Sequence, residues 1–322
     1  MTKIFNRRDA LRLGGGIAAA GGVAACATAA QPASDATPYA PMELDNPKWN
    51  RDAIVKLQGN MDPAKEKYGW YAGRVIGVRD GEKDTHLMDF EGFSVARMLP
   101  REDGSYRKVL REVGFYLDKD TGEIMETYEN PYTGETNKVV PIANDPFNVT
   151  FEEFYPEPPR YGGLNNADRP PRRPLLLDWT VKGDTVFLHS DIHLFYPSSL
   201  QPSEWPRESP GPMTQVTEMF SYNIKRADLE NPDLQSIEHF GVWNRITPWF
   251  PWMLMDQAQG HLVYACDFGS HDTMEMVPQK IIDAAAAIDP KYLEAPTEDY
   301  GPNLSSLENY KLTETPAPPR DK

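Results

Sequence analysis

His189, Asp191 and His193 stand at every second position of a run, Thr185 to Tyr196, that is rich in β-branched, aromatic and apolar residues. If the run is a strand, side chains two apart share a face. The three then make a polar strip in which Asp191 orients one imidazole and His189 or His193 moves a proton as general acid or base. Metal ligation is a second chemistry open to the strip. Neighbours two apart have Cα atoms about 6.6 Å apart and can share one ion, whereas the outer pair, about 13 Å apart, needs a bulge to do so. A third ligand would come from another strand, with Glu218, His239 and His261 as candidates. A plainer reading is also open, in which the strip faces solvent and Leu188, Ser190, Ile192 and Leu194 form the buried face.

A second constellation is aromatic. Trp243, Trp249, Phe250, Trp252, Met253 and Met255 fall within thirteen residues, and Pro248 and Pro251 forbid a regular helix or central strand there. Such a proline-braced stretch either completes a core or walls an apolar pocket, with Trp243, Trp249, Trp252 and Met253 as the ligand-binding candidates. Asn144-Asp-Pro-Phe-Asn148 reads as an Asx turn, and Arg172 and Arg173 read as a solvated pair or an anion contact. No phosphate-binding glycine loop, Gly-x-Ser-x-Gly elbow, Cys-x-x-Cys or His-Glu-x-x-His is present, which disfavours nucleotide binding, standard serine hydrolysis and haem c attachment. The sequence specifies no cofactor.

The N-terminus sets the compartment. Lys3, Arg7, Arg8 and Arg12 precede a short, glycine-rich, weakly apolar run to Val23. Paired Arg7-Arg8 with Leu11 behind them fits a twin-arginine leader over residues 1–25, too short and too polar for a membrane span. The expected location is the periplasm or cell envelope. Val23-Ala-Ala-Cys26 resembles a lipobox, with Cys26 lipidated; Ala27-Thr-Ala29 offers an ordinary cleavage site instead. Cys266 is then alone in the fold, and no motif makes it a catalytic thiol.

Net charge is -15, and four of the cations lie in the leader against only Asp9, so the remainder is near -18. Such a surface repels nucleic acid and anionic membrane, leaving a lipid anchor as the expected membrane contact and a small hydrophobic molecule as the expected partner.

The elements that must position these residues are mostly strands. A short helix is expected from Asn46 to Leu57, capped by Asn46 with Pro47 at its first position. Strands are expected over 68–78, 86–99 and 106–117, followed by a meander over Gly114–Leu117, Ile124–Tyr128 and Lys138–Ile142. Its turns carry Thr-Gly-Glu twice, 12 residues apart, with glycine at positive φ. A hairpin over 175–196, strands over 213–224, 236–246 and 261–268, and a helix over 277–287 complete the count. Proline-rich stretches over 152–174 and 197–212 are loops able to lie over a pocket. The expected fold is mainly β: an antiparallel meander curled into a barrel-like (calycin-like) sheet with a few peripheral helices. The expected organisation is a leader over 1–25, a flexible tether over 26–45, one β domain over 46–296 and an extended tail over 297–322.

Asn130-Pro-Tyr-Thr-Gly134, Val139-Val-Pro-Ile-Ala-Asn-Asp-Pro-Phe-Asn148 and Trp243-Asn-Arg-Ile-Thr-Pro-Trp-Phe-Pro-Trp-Met-Leu-Met255 with Gly260 behind it resemble bacterial exported proteins of the domain of unknown function 1838 family. The resemblance spans about Ala53 to Pro290. It implies one exported domain and brings no catalytic residues with it.

Overall fold

Asn46 opens the first element as the sequence requires. Its side chain accepts from the backbone N–H groups of Lys48 and Trp49, and Pro47 begins helix α1 (Pro47–Gln58). The computed structural model describes residues 40–156 and 171–320. The leader, Cys26, most of the tether and residues 157–170 of the first proline-rich loop lie outside the described residues. The rest belongs to one compact unit.

Strands follow α1: β1 (Lys67–Val78), β2 (Thr85–Pro100), β3 (Tyr106–Leu117), β4 (Thr127–Glu129), β5 (Thr136–Lys138), β6 (Ile142–Asn144), β7 (Val149–Phe151), β8 (Asp178–Lys182), β9 (Thr185–Pro197), β10 (Met213–Lys225), β11 (His239–Thr247) and β12 (His261–His271), with the one-turn helix α2 (Arg226–Leu229) between β10 and β11. Ten of them make one antiparallel sheet in the order β6-β3-β2-β1-β12-β11-β10-β9-β8, with β7 also on β3. The fold is thus mainly β, as expected, and the sheet path is open at β6 and β8.

The meander departs from expectation. Gly122 and Gly134 do take positive φ, at 72° and 73°. The chain between them, however, leaves the main sheet, and β4 pairs only with β5. Asn130 and Asn137 explain this locally. Both are buried, and both donate through Nδ2 to the Met253 carbonyl, at 2.8 and 2.9 Å, which fastens the small hairpin to the aromatic segment.

Helix α1 stands between the two sheet edges. Asn50 is fully buried and uses its whole amide: Nδ2 donates to Leu44 and Asn46 carbonyls, and Oδ1 accepts from Leu177 N–H and Trp179 Nε1–H. Arg51 pairs with Glu153, beyond β7. One bridge, Tyr155 N–H to Arg173 O and Leu175 N–H to Glu153 O, joins the run after β7 to the run before β8.

Alternation sorts each strand. Odd positions of β2 and β3, including Phe93, Val95, Val113 and Phe115, pack outward against Ile281 and Ala285 of helix α3 (Gln279–Ile288). Even positions turn to the concave face. Glycines there permit sharp curvature: a Cβ on Gly92 would sit 2.4 Å from the Val113 carbonyl oxygen and 2.7 Å from Gly114 Cα.

The C-terminal tail is corrected in part. Residues 297–322 do not run extended throughout: α4 (Ser306–Thr313) forms within them. Ser305 and Glu308 make a capping box, and Tyr310 is buried edge-on to Trp205 at 5.8 Å.

Gly92→Ala is expected to destabilise the fold by about 2 kcal/mol or more, because backbone on a neighbouring strand must move. Chemical denaturation of both proteins measures it; a midpoint equal to wild type would contradict the crowding.

Candidate binding cavity

The concave face encloses a cavity of about 1430 Å³. Ordinary small-molecule pockets hold roughly 300–1,000 Å³. The alternating registers build its wall. Trp243 on β11 lies opposite Phe220 on β10 and Cys266 on β12. Its indole stacks on Phe220 at 6.1 Å and 14°, and meets Tyr264 at 5.3 Å and Tyr71 at 5.6 Å. Phe90 and Phe268 extend this aromatic wall.

A charged belt crosses it. Two residues beyond Trp243, Arg245 faces Glu218 directly across β10 and β11, Nη1 to Oε1 3.1 Å. The guanidinium also lies 5.9 Å from the Tyr264 ring centroid. On β3, Lys108, Glu112 and Tyr116 are inward at four-residue spacing, with Leu110 and Gly114 between them on the same face. Tyr116 and Tyr264 share a hydroxyl hydrogen bond of 3.1 Å. Glu112 accepts from Asn144 Nδ2 at 2.6 Å, and Asn144 accepts from Asn309 of α4 at 2.6 Å, so tail and belt are linked. Lys108 makes one long bond, 3.5 Å to Gln58 Oε1, and Gln58 donates to Tyr222.

Burial tunes these groups. It pushes the Glu112 carboxyl up against the Asn144 bond, and the nearby Glu218 charge adds to the rise. Burial lowers Lys108 to about 8 despite Glu112. It holds His239 at about 3, with the Lys67 charge acting the same way. Burial also raises Tyr116 and Tyr222 to about 12. Burial is the largest single influence on Arg245 and opposes its charge, but Glu218 together with Tyr264, Tyr116 and Tyr196 outweighs it, so the guanidinium is held charged.

The expected site residues divide. Trp243, Trp249 and Trp252 line the cavity. Met253 does not: its side chain is fully buried in the core and its carbonyl anchors the β4–β5 hairpin. The His strip turns the other way. His189, Asp191 and His193 are exposed, while Leu188, Ser190, Ile192 and Leu194 border the cavity. Of the strip only Asp191 touches the cavity edge. The reason is the pleat: Leu188 is fully buried, so its odd-numbered neighbours must face out. His193 Nδ1 meets only Thr217 Oγ1, at 3.3 Å. The candidate third ligands Glu218 and His239 lie on the opposite, concave face, so they cannot join the strip. Among the described residues no three His, Cys, Asp or Glu side chains converge as a metal site. Cys266 is a buried free thiol that burial raises to about 12. Arg172 pairs with Glu152 and Arg173 lies over Tyr155, both as surface contacts.

The sequence reading missed Lys108, Glu112, Glu218 and Arg245 as a group. Their signal was a charge at an inward position of an alternating strand, as in Glu218-Met-Phe-Ser-Tyr and Trp243-Asn-Arg245.

Fold and cavity together define a mainly β protein, a large antiparallel sheet with an aromatic cavity crossed by charge. The chain belongs to the family of proteins of unknown function DUF1838, whose model matches residues 64–313. No curated protein matches it.

His239 supplies a pH test. Its folded pKa, about 3, is below the ordinary 6.5, so the unfolded chain binds one more proton between them. Stability is therefore full above about pH 6.5 and falls toward pH 3 by about 1.4 kcal/mol per unit from this group. His239→Gln is expected to flatten that acid limb by one proton in denaturation measured from pH 7 to 4; an unchanged slope would show that His239 is not held neutral.

Proposed function

We propose that this protein is an exported binding protein that takes a hydrophobic or aromatic small molecule into the cavity of its curled sheet. The supporting observation is the aromatic wall around Trp243, which joins rings from β1, β2, β10, β11 and β12 around one large cavity. Rings supply large apolar contact with defined geometry, and buried polar groups orient what they hold. The 197–212 loop, the 248–252 segment and α4 border the same space and act as its cover. In this reading the sheet, with α1 and the Phe154–Pro174 bridge across its edges, works as a barrel-like container.

Export rests on Arg7-Arg8 and the weakly apolar run behind them, and anchoring rests on Val23-Ala-Ala-Cys26. The protein then acts in the cell envelope, either tethered through lipidated Cys26 or free.

One observation favours a second reading, acid–base catalysis. Glu112, raised by burial and by Glu218, stands in the cavity where a bound molecule would touch it. In that reading the protonated carboxyl donates a proton and a neighbouring carboxylate receives one, a role that leaves the exposed His189 and His193 unused.

N-phenyl-1-naphthylamine, a neutral fluorescent probe of apolar cavities, tests the binding reading. The mature protein is expected to bind it with enhanced emission, and Trp243→Ala to weaken binding about tenfold or more, while His189→Gln and His193→Gln bind as wild type. Absence of probe binding, or equal loss in the histidine variants, would overturn it. Glu112→Gln separates the second reading: a screen of aromatic esters and ketones in which wild type shows turnover and Glu112→Gln retains binding alone would favour catalysis.

A further inference from the structure

The polar groups around the cavity do not balance. Arg245 has five N–H donors, yet its partner among the described residues is one Glu218 oxygen, and its buried Nε has no acceptor. The indole N–H of Trp243, two residues away on the same face, is also buried without an acceptor. Lys108 brings three donors and has one long bond to Gln58. The two carboxylates are already engaged, Glu218 by Arg245 and Glu112 by Asn144. Of the other unpartnered atoms on the wall, Thr214 Oγ1 and His239 Nδ1 serve either role, and Asn148 Oδ1 is the one fixed acceptor. The charged belt is therefore rich in donors and short of acceptors.

Burying an N–H without an acceptor costs its desolvation with no bond in return, and more when the group is charged. A ligand that brings acceptors recovers this energy, whereas a cationic ligand brings more donors and competes with Arg245 for Glu218. A carboxylate is the best match, because its two coplanar oxygens fit two parallel N–H groups of a guanidinium.

Resting on the binding reading above, we propose that the cavity's ligand is an apolar or aromatic carboxylic acid, its carboxylate held by Arg245 with Lys108 as second cation and its body lying against Trp243, Phe220 and Phe90. The belt sets this choice mainly through donors, because burial opposes the charged form of both Glu112 and Lys108 and Glu218 offsets Arg245. The carboxylate enters from a surface that is acidic overall, so selection is made inside the cavity and not by long-range steering.

Three compounds with one ring system and different heads test this: 2-naphthoate, 2-naphthalenemethanol and 2-naphthylmethylamine, each displacing N-phenyl-1-naphthylamine from the mature protein at pH 7. Naphthoate is expected to displace at a concentration tenfold or more below the alcohol, with the amine weakest. Arg245→Gln with Glu218→Gln removes both charges and leaves no orphaned carboxylate; there the preference is expected to fall below about threefold while the neutral probe still binds. Arg245→Lys, which keeps the charge and loses the planar fork, is expected to fall between. Equal displacement by the three heads, or tightest binding of the amine, overturns the carboxylate assignment in wild type whether or not any variant folds. A preference unchanged in the double variant overturns the role of Arg245. These failures differ from that of the cavity reading itself, which shows as no binding of the neutral probe to wild type and would remove both.

Discussion

Close approach of neighbouring strands on the concave face is the constraint on which the molecule rests. Gly73, Gly92, Gly114 and Gly241 all sit where a Cβ would lie 2.4 Å from another atom: Ala265 O, Val113 O, the Phe90 ring, and both Phe268 and Ser221 O. Gly92 faces Gly114 across β2 and β3, so two adjacent strands lose side chains at the same level. The sheet can bend there, and rings fill the released space. Phe90 covers Gly114, and Phe268 covers Gly241. The same substitution of hydrogen for methyl therefore gives curvature and supplies room for the aromatic wall. Without it the ten strands would lie flatter, and Trp243, Phe220 and Tyr264 would not face a shared interior.

Within that wall the charged belt is an unusual use of core positions. Arg245 and Glu218 occupy neighbouring inward sites where apolar residues of similar volume would serve stability equally well or better. Glu112 and Lys108 add two more charges, and burial opposes the charged form of each. Charges held against such opposition are what make the belt, and not the rest of the wall, the candidate site. The rings reinforce this. Tyr116 and Tyr264 bond each other through their hydroxyls, and the guanidinium rests near the Tyr264 ring, so the belt is oriented as well as charged.

Much of this was legible in the sequence because strands announce their faces. The alternation in Thr185 to Tyr196 gave the strand, its hairpin partner and both possible facings of the histidines. Choosing between the facings needs the rest of the sheet, since Leu188 and Ile192 are apolar on one side and the polar strip is equally ready for solvent on the other. Asn46-Pro47 gave α1 to within a residue at each end, because capping is a local interaction. The β4–β5 hairpin was misplaced for the opposite reason: its turns are local, but Asn130 and Asn137 find the Met253 carbonyl more than a hundred residues away. The belt was hidden likewise. Lys108 and Arg245 read as ordinary strand charges until β3 and β11 are brought round to one interior. Helix α4 could have been found, since Ser305 and Glu308 carry the capping-box spacing.

The tail that borders the cavity is held differently from the wall. Asp299 takes Arg101 and Arg107, each at 3.0 Å; Asp145 takes Arg111, Lys291 and the Tyr300 hydroxyl; and Arg320 reaches both Glu135 and Asp256, which also take Arg207. Apolar anchorage is sparse by comparison, with Tyr310 as the buried ring of α4 and Leu312 exposed. Partly exposed ion pairs contribute little individually and weaken with salt, whereas the aromatic wall does neither. The two parts of the cavity boundary therefore respond to different variables. The wall stands or falls with the sheet, whereas a tail held mostly by partly exposed ion pairs is expected to open at lower free energy, more readily at high ionic strength. The Asn309–Asn144–Glu112 chain joins the two, so opening of α4 would remove a polar neighbour from Asn144 and alter the support of a carboxyl whose charged form burial opposes. Tail and belt are in this way tied by hydrogen bonds at one point, beside the ion pairs that hold the rest of the tail.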